Sequence, residues 1–153
     1  MPDLYETRDA RTSDIPALAV IADATLFPGE MLGDMMAPAL TGEGDDIWRV
    51  VCKYDTPVGF AFAQPEAMTQ GTWNLRAIAT DPAVHGSGAG TALLAAVEAA
   101  LGDARLLVID TTQTEDQARA RRFYAARGCT HVATIPGFFG PDEDKVTFIK
   151  TLT

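Results

Sequence analysis

Between Ala83 and Leu94, glycine recurs at every second position, Gly86, Gly88 and Gly90, just ahead of an apolar pattern with helical spacing. Glycine lets the backbone turn where other residues cannot and lets a ligand approach it closely, so several main-chain N–H groups can converge on one anion. The unsatisfied amides and positive dipole end of a helix starting near Gly88 add to that effect. The chemistry written in this stretch is the holding of a phosphate. Spacing separates the kinds of phosphate loop. A dinucleotide fingerprint counted from Gly86 and Gly88 needs Gly or Ala where Thr91 stands. A nucleotide P-loop needs a Gly-Lys pair, and the chain contains none. A strand-to-helix connection that binds nothing can have the same composition, so the loop needs a second signal.

Composition narrows the partners. With 153 residues, 47% hydrophobic and 22% charged, the chain has the make-up of one globular domain with a single core. Twenty-one acidic against twelve basic side chains give a net charge of −9, which repels a polyanion and argues against nucleic acid. The apolar stretches around Ile15 to Phe27 and Ala92 to Leu101 are interrupted by Asp23 and Glu98 and are too short to span a bilayer. Met1 to Asp14 carries acids and no apolar block, so neither a secretory leader nor a membrane partner is expected. Cys52 and Cys129 form neither a disulfide framework nor, without neighbouring ligands, a metal site. The expected compartment is the cytoplasm.

The elements that must position the loop follow from periodicity. Leu4 to Arg8 reads as a short strand, and Asp14 as the cap of a helix with Leu18, Ile21, Ala22 and Leu26 on one face. Pro28 and Gly29 end it, and a shorter helix covers about Glu30 to Leu40. Ile47 to Tyr54, Val58 to Gln64 and Thr72 to Thr80 read as a meander of three strands joined through Asp55-Thr56-Pro57 and Thr69-Gln70-Gly71. A helix from about Gly88 to Leu101 presents Leu93, Leu94, Val97 and Leu101, and Gly102 stops it. Arg105 to Thr111 is a near-continuous apolar strand of the kind found in parallel pairs. Thr114 and Gln117 have capping-box spacing for a helix running to Arg127. The strands His131 to Ile135 and Lys145 to Leu152, separated by a solvated Asp142-Glu143-Asp144 turn, complete the order β-α-α-β-β-β-α-β-α-β-β.

With that order and two separated motifs, the chain resembles the GNAT family of acyl-CoA-dependent N-acetyltransferases over nearly its whole length. The first motif is His85-Gly86-Ser87-Gly88-Ala89-Gly90, after Ile78-Ala79-Thr80-Asp81-Pro82, against the family's Arg/Gln-x-x-Gly-x-Gly/Ala loop. The second is Ala120-Arg121-Arg122-Phe123-Tyr124-Ala125-Ala126-Arg127-Gly128-Cys129, against Ala-x-x-Leu/Phe-Tyr-x-x-x-Gly-Phe. The resemblance implies an α/β fold in which a mixed central sheet of about seven strands is flanked by about four helices. It also implies acetyl-CoA as co-substrate with no metal. The amides of Gly86, Ser87, Gly88, Ala89, Gly90 and Thr91 would hold the pyrophosphate. Leu75 to Thr80 would pair with the pantetheine arm, and the amide of Ile78 or Ala79 would face the thioester carbonyl as an oxyanion donor.

Two positions depart from the family pattern in the motifs. His85 stands where Arg or Gln is usual and brings less permanent charge to a phosphate. Cys129 stands where Phe is usual and reads as a small buried residue. Asp116 and Gln117 lie where relatives carry Asn, and Gln117 keeps a donor and an acceptor for the pantetheine arm. Arg119, Arg121 and Arg122 could reach the coenzyme 3′-phosphate or simply form a solvated helix face.

For the chemistry, the resemblance makes Tyr124 the catalytic candidate, its phenol directed at the departing sulfur. Core packing beside Phe123 is the competing role. Glu30, Asn74 and Arg76 are candidates for binding the acceptor. Glu66 and Asp110 are the carboxylates near the same strands, yet neither declares itself as the base. The implied activity is transfer of acetyl to a primary amine of a small molecule or peptide, by direct attack in a ternary complex. A non-catalytic acyl-CoA-binding module of the same fold is the alternative, and a homodimer is compatible with either.

Overall fold

A computed structural model describes residues 4–152, so the first three residues of the Met1 to Asp14 segment lie outside the described residues. The strand order is β1-β2-β3-β4-β5-β7-β6, a seven-stranded mixed sheet. The chain forms two compact units. One contains the chain up to Pro65 together with Arg76–Gly102, and the other contains Glu66–Leu75 together with the chain from Asp103 onward.

The first unit contains β1 (Tyr5–Asp9), β2 (Ile47–Lys53), β3 (Thr56–Pro65) and the later half of β4 (Thr72–Thr80). β1 and β3 each pair antiparallel with β2, and Trp48↔Phe62 and Val50↔Phe60 set the β2–β3 register. Trp48 stacks on Phe62 with ring centroids 4.2 Å apart, which fixes two large side chains where strand alternation presents them. Helices α1 (Ile15–Thr25) and α2 (Leu32–Leu40) bury Leu18, Ile21, Ala22, Leu32 and Met36 against that same face, which includes Ala77 and Ala79 of β4. The alternate residues Val51, Ala61 and Ala63 are buried as well, and helix α3 (Ala89–Ala100) packs against β1, β2 and β3 with Leu93, Leu94 and Val97 inside.

Two local expectations change here. Asp14 does not cap α1 with its side chain. Its buried carboxylate instead takes both Nη atoms of Arg8 at 2.7 Å and the Arg11 amide at 2.8 Å, and the guanidinium holds it below the usual carboxylate range. A bidentate ion pair outcompetes a single capping bond. The β2–β3 connection is tighter than expected, because Tyr54 and Asp55 both take positive φ and Thr56 already belongs to β3. That is the two-residue hairpin geometry that matches strand twist.

The second unit contains the first half of β4, β5 (Leu106–Thr112), α4 (Ala118–Ala126), β6 (Thr130–Gly140) and β7 (Glu143–Thr151). β5 runs parallel to β4 from Thr72↔Leu106 to Leu75↔Ile109 and antiparallel to β7, which pairs antiparallel with β6. Tyr124 of α4 lies against Phe123 and Phe148, with ring centroids 5.8 and 5.6 Å away, and Leu107, Ile109 and Cys129 are buried.

The Thr114–Gln117 capping box does not form: the segment Glu115–Gln117 is a 3-10 turn, and the Gln117 carboxamide oxygen faces the Thr111 hydroxyl at 3.4 Å. β6 extends well past Ile135 through a register shift. The acidic triplet is no free turn either. Glu143 and Asp144 belong to β7, the Asp144 carboxylate accepts the Gly137 amide at 2.9 Å, and Gln113 spans the hairpin through the Asp142 carbonyl and Asp144 amide, each at 2.6 Å.

The approach of the α2 entry to α1 demands glycine. A Cβ on Gly29 would lie 2.2 Å from the Ala19 carbonyl oxygen, and backbone cannot yield as a side-chain end can. Gly29→Ala is expected to cost about 2–3 kcal/mol in urea unfolding, the scale of overpacking a closed site. Gly33→Ala, whose Cβ meets nothing within 4 Å, should be neutral or stabilise by up to about 1 kcal/mol.

Candidate functional site

β4 ends at Thr80, and a 3-10 turn, Pro82–Val84, follows in which the Asp81 carboxylate accepts the Ala83 amide at 3.0 Å. Two amides of the expected anion loop are used inside it: His85 donates to the Pro82 carbonyl at 3.2 Å and Ser87 to the Val84 carbonyl at 3.2 Å. The Ser87 hydroxyl meets the Val84 carbonyl and the Tyr5 hydroxyl, which ties the loop to β1. Gly86 and Gly88 take φ of +77° and +100°, the left-handed region that L side chains rarely enter. Gly88 is the N-cap of α3 and its carbonyl accepts the Ala92 amide at 3.0 Å, so the amides of Ala89 and Gly90 open the helix at its positive end. Of the amides expected from Gly86 to Thr91 to hold an anion, that of Ser87 is taken within the turn. His85 is exposed beside them.

The strand leading to this loop is held tightly from its other side. A Cβ on Gly59 of β3 would sit 2.7 Å from the Ala79 carbonyl oxygen, and the Asp81 amide reaches the Val58 carbonyl at 2.8 Å. Ile78 and Thr80 are half-buried, Ala79 is buried and Arg76 is exposed. Glu30 is exposed in the 3-10 turn Gly29–Met31, and the Asp23 carboxylate accepts the Gly29 amide at 2.6 Å.

In the second unit, Tyr124 is 6% exposed, and burial, with a smaller contribution from the Cys129 thiol, raises its phenol well above the usual tyrosine value. A phenol so placed is a weaker acid than a free one and a better keeper of its proton. Arg121 is not free for a phosphate, because its Nη1 donates to the Thr112 and Thr114 carbonyls at 2.6 and 2.7 Å and fastens the β5–α4 connection.

A polar cluster gathers Asn74, one of the three residues considered for the acceptor, with Glu66 and Asp110, the two considered for the base, while Glu30 and Arg76 stand in the first unit. Asn74 is 5% exposed, and its Nδ2 donates to Glu66 Oε1 at 2.9 Å and lies 3.5 Å from Asp110 Oδ2. The Thr147 hydroxyl donates to Asp110 Oδ1 at 2.7 Å, and Lys145 Nζ lies 3.6 Å from Oδ2 and 4.4 Å from the centre of the Phe138 ring. The expected Glu66, Asn74 and Asp110 do come together. Lys145, Thr147 and Phe138 were not foreseen. The available signal was alternation, which puts Lys145 and Thr147 on one face of β7, but only the Asp110↔Thr147 register brings them to Asp110.

The sequence profile of the Acetyltransferase (GNAT) family matches residues 20–129. The chain belongs to the GNAT acetyltransferase family. Membership makes it an acyltransferase by family, and solved structures share the fold throughout. A GNAT-family acetyltransferase from Desulfovibrio desulfuricans superposes with a TM-score of 0.88 at 24% identity, covering 97% of this chain and 99% of that one. The ribosomal-protein-S18-alanine N-acetyltransferase of Escherichia coli gives 0.76 at 19%, covering 97% and 94%. An acetyltransferase from Salmonella typhimurium, solved with its cofactor acetyl-CoA, gives 0.76 at 19%, covering 99% and 95%. No curated protein sequence matches the chain. Among the described residues, no group of His, Cys, Asp and Glu could hold a metal ion, and no helix is long and apolar enough to cross a membrane.

Because its folded-state value is raised, the Tyr124 phenol stabilises the fold while it stays protonated in both states. That contribution is lost as pH rises past the unfolded value near ~10. Spectrophotometric titration of the folded protein should therefore show a tyrosine that does not ionise in the normal range. Tyr124→Phe should remove this loss of stability at alkaline pH.

Proposed function

We propose that the chain is a cytoplasmic enzyme that transfers an acetyl group from acetyl-CoA to a primary amine, with both units serving one GNAT domain. The observation that carries the reading is the Gly86–Gly90 turn in a chain of this family: left-handed backbone at Gly86 and Gly88 delivers main-chain donors to the positive end of α3. Those amides would hold the coenzyme's pyrophosphate without a metal. The β4 edge from Leu75 to Thr80 would align the pantetheine arm, and the amide of Ile78 or Ala79 would stabilise the oxyanion as the amine attacks. No enzyme-bound acyl intermediate is required. Gln117 contributes a carboxamide to the arm, and His85 contributes an imidazole near the phosphates.

Tyr124 serves the leaving sulfur. A phenol of ordinary acidity is already about 1.5 units too weak to protonate a thiolate downhill, and its burial weakens it further. Its role is therefore a hydrogen bond that strengthens as charge builds on sulfur, rather than early proton transfer.

Coenzyme release from acetyl-CoA across a panel of amines tests the reading directly; affinity without turnover would mark a binding module instead. Gly88→Glu forces a side chain onto left-handed backbone and sets a negative charge at the helix start. Calorimetry should show coenzyme A affinity falling by more than about tenfold in a protein that still folds. For Tyr124→Phe, kcat should fall by about 10- to 10²-fold with KM for acetyl-CoA little changed, matching a hydrogen bond to a charged atom worth about 1.5–3 kcal/mol. A kcat within about twofold of the parent would return Tyr124 to core packing.

A further inference from the structure

Glycine stands at every second position from Gly86 to Gly90, and glycine loses more conformational freedom on ordering than any other residue. A turn of this composition would order only when an anion arrives, at a cost in affinity, unless something holds it beforehand. Gly86 and Gly88, both at positive φ, flank Ser87. Ser87 therefore carries the one side chain by which the stretch between them can be gripped.

It is gripped from outside the loop. The Ser87 hydroxyl meets the Val84 carbonyl and the hydroxyl of Tyr5, 82 residues away in sequence. Counting protons fixes the direction of both bonds. A carbonyl only accepts, so the single Ser87 hydroxyl proton goes to Val84, and the Tyr5 hydroxyl must donate to Ser87 Oγ. Bonds running one way, from Tyr5 to Ser87 to Val84, polarise one another. The Ser87 amide ends on the same Val84 carbonyl at 3.2 Å. With both of its protons used inside the turn, Ser87 has none for a phosphate. Tyr5 suits the part of anchor. It opens β1 and pairs with Lys53 of β2, in the same unit as the loop, and α3 packs against β1. Its half-buried ring turns about only two side-chain torsions, so little freedom is lost in holding the hydroxyl in place.

We propose that Tyr5 is a positioning residue of the coenzyme site: its hydroxyl, acting through Ser87, holds the glycine turn in its anion-binding form before the coenzyme arrives, and Ser87 serves as a strut rather than as a phosphate ligand. This rests on the coenzyme-binding reading above. It adds to that reading a residue of the first strand that touches no part of the ligand. The order that glycine by itself would leave to the anion is imposed in advance by two hydroxyls.

The test is calorimetry with coenzyme A on Tyr5→Phe, Ser87→Ala and the double variant, with urea unfolding measured alongside. Tyr5→Phe removes one oxygen from a half-buried ring, so the fold should persist. Its affinity for coenzyme A should nonetheless fall by about three- to tenfold, the scale of one hydrogen bond. Ser87→Ala should lose at least as much, and the double variant should bind like Ser87→Ala, because the two hydroxyls act in one chain. In the ligand-free protein, hydrogen exchange of the amides of residues 86–90 should quicken in Tyr5→Phe. Were Ser87 a ligand instead, releasing its hydroxyl from Tyr5 would leave binding unchanged or tighten it. Tyr5→Phe that binds within about twofold of the parent, or more tightly, therefore overturns the proposal and leaves the coenzyme reading standing, whatever happens to its unfolding midpoint. Unchanged amide exchange overturns it too, as does a double variant weakened by the product of the two single losses. A parent that does not bind coenzyme A overturns both readings together.

Discussion

Two neighbouring strands that run the same way cannot be joined by a tight turn. Because β4 and β5 are parallel from Thr72↔Leu106 to Leu75↔Ile109, the chain between them must make a crossover, and here the crossover contains the glycine loop and α3. That single constraint explains why a helix begins where β4 ends, and hence why main-chain donors are offered there. It also fixes the glycines. To leave Thr80 and enter α3 within a few residues, the backbone passes through positive φ at Gly86 and Gly88, where a side chain would meet open space yet strain the chain.

The two units solve the burial of charge differently. In the first, Arg8 and Asp14 close on each other in a bidentate pair that fixes the turn into α1, and the carboxylate has no capacity left for chemistry. In the second, Asp110 is shared among a hydroxyl, an amide and an ammonium, none of which claims it in a bidentate grip. Stability favours the first arrangement, whereas exchange of a partner requires the second.

Much of this was legible in the residues. β4 was read with its observed bounds, the strand and helix order was read correctly, and the burial of Cys129 followed from its chemistry. The misses share a cause. Asp14 and Thr114 have the residue types of caps, but each site offered its side chain or its turn a competing partner that local spacing cannot reveal. The same holds for Lys145 and Thr147. They lie more than thirty residues from Asp110 in sequence, and only the pairing of β5 with β7 makes them neighbours. β6 was expected to end at Ile135, but it continues through Pro136 and Gly137 as an irregular strand to Gly140.

That irregular strand bears on how the protein behaves in concentrated solution. β6 ends the strand order, is exposed along nearly all its length, and displays Val132, Ile135, Phe138 and Phe139, a combination that invites a foreign strand to add. The same strand breaks its own template. Pro136 has no N–H to offer, Gly137 turns the backbone to φ +66°, and the ladder slips between Ile135 and Gly140. An incoming chain would find a register that holds for only a few residues before the donors run out. This exposed edge thus carries its own interruption, in the two residues that look least suited to a strand.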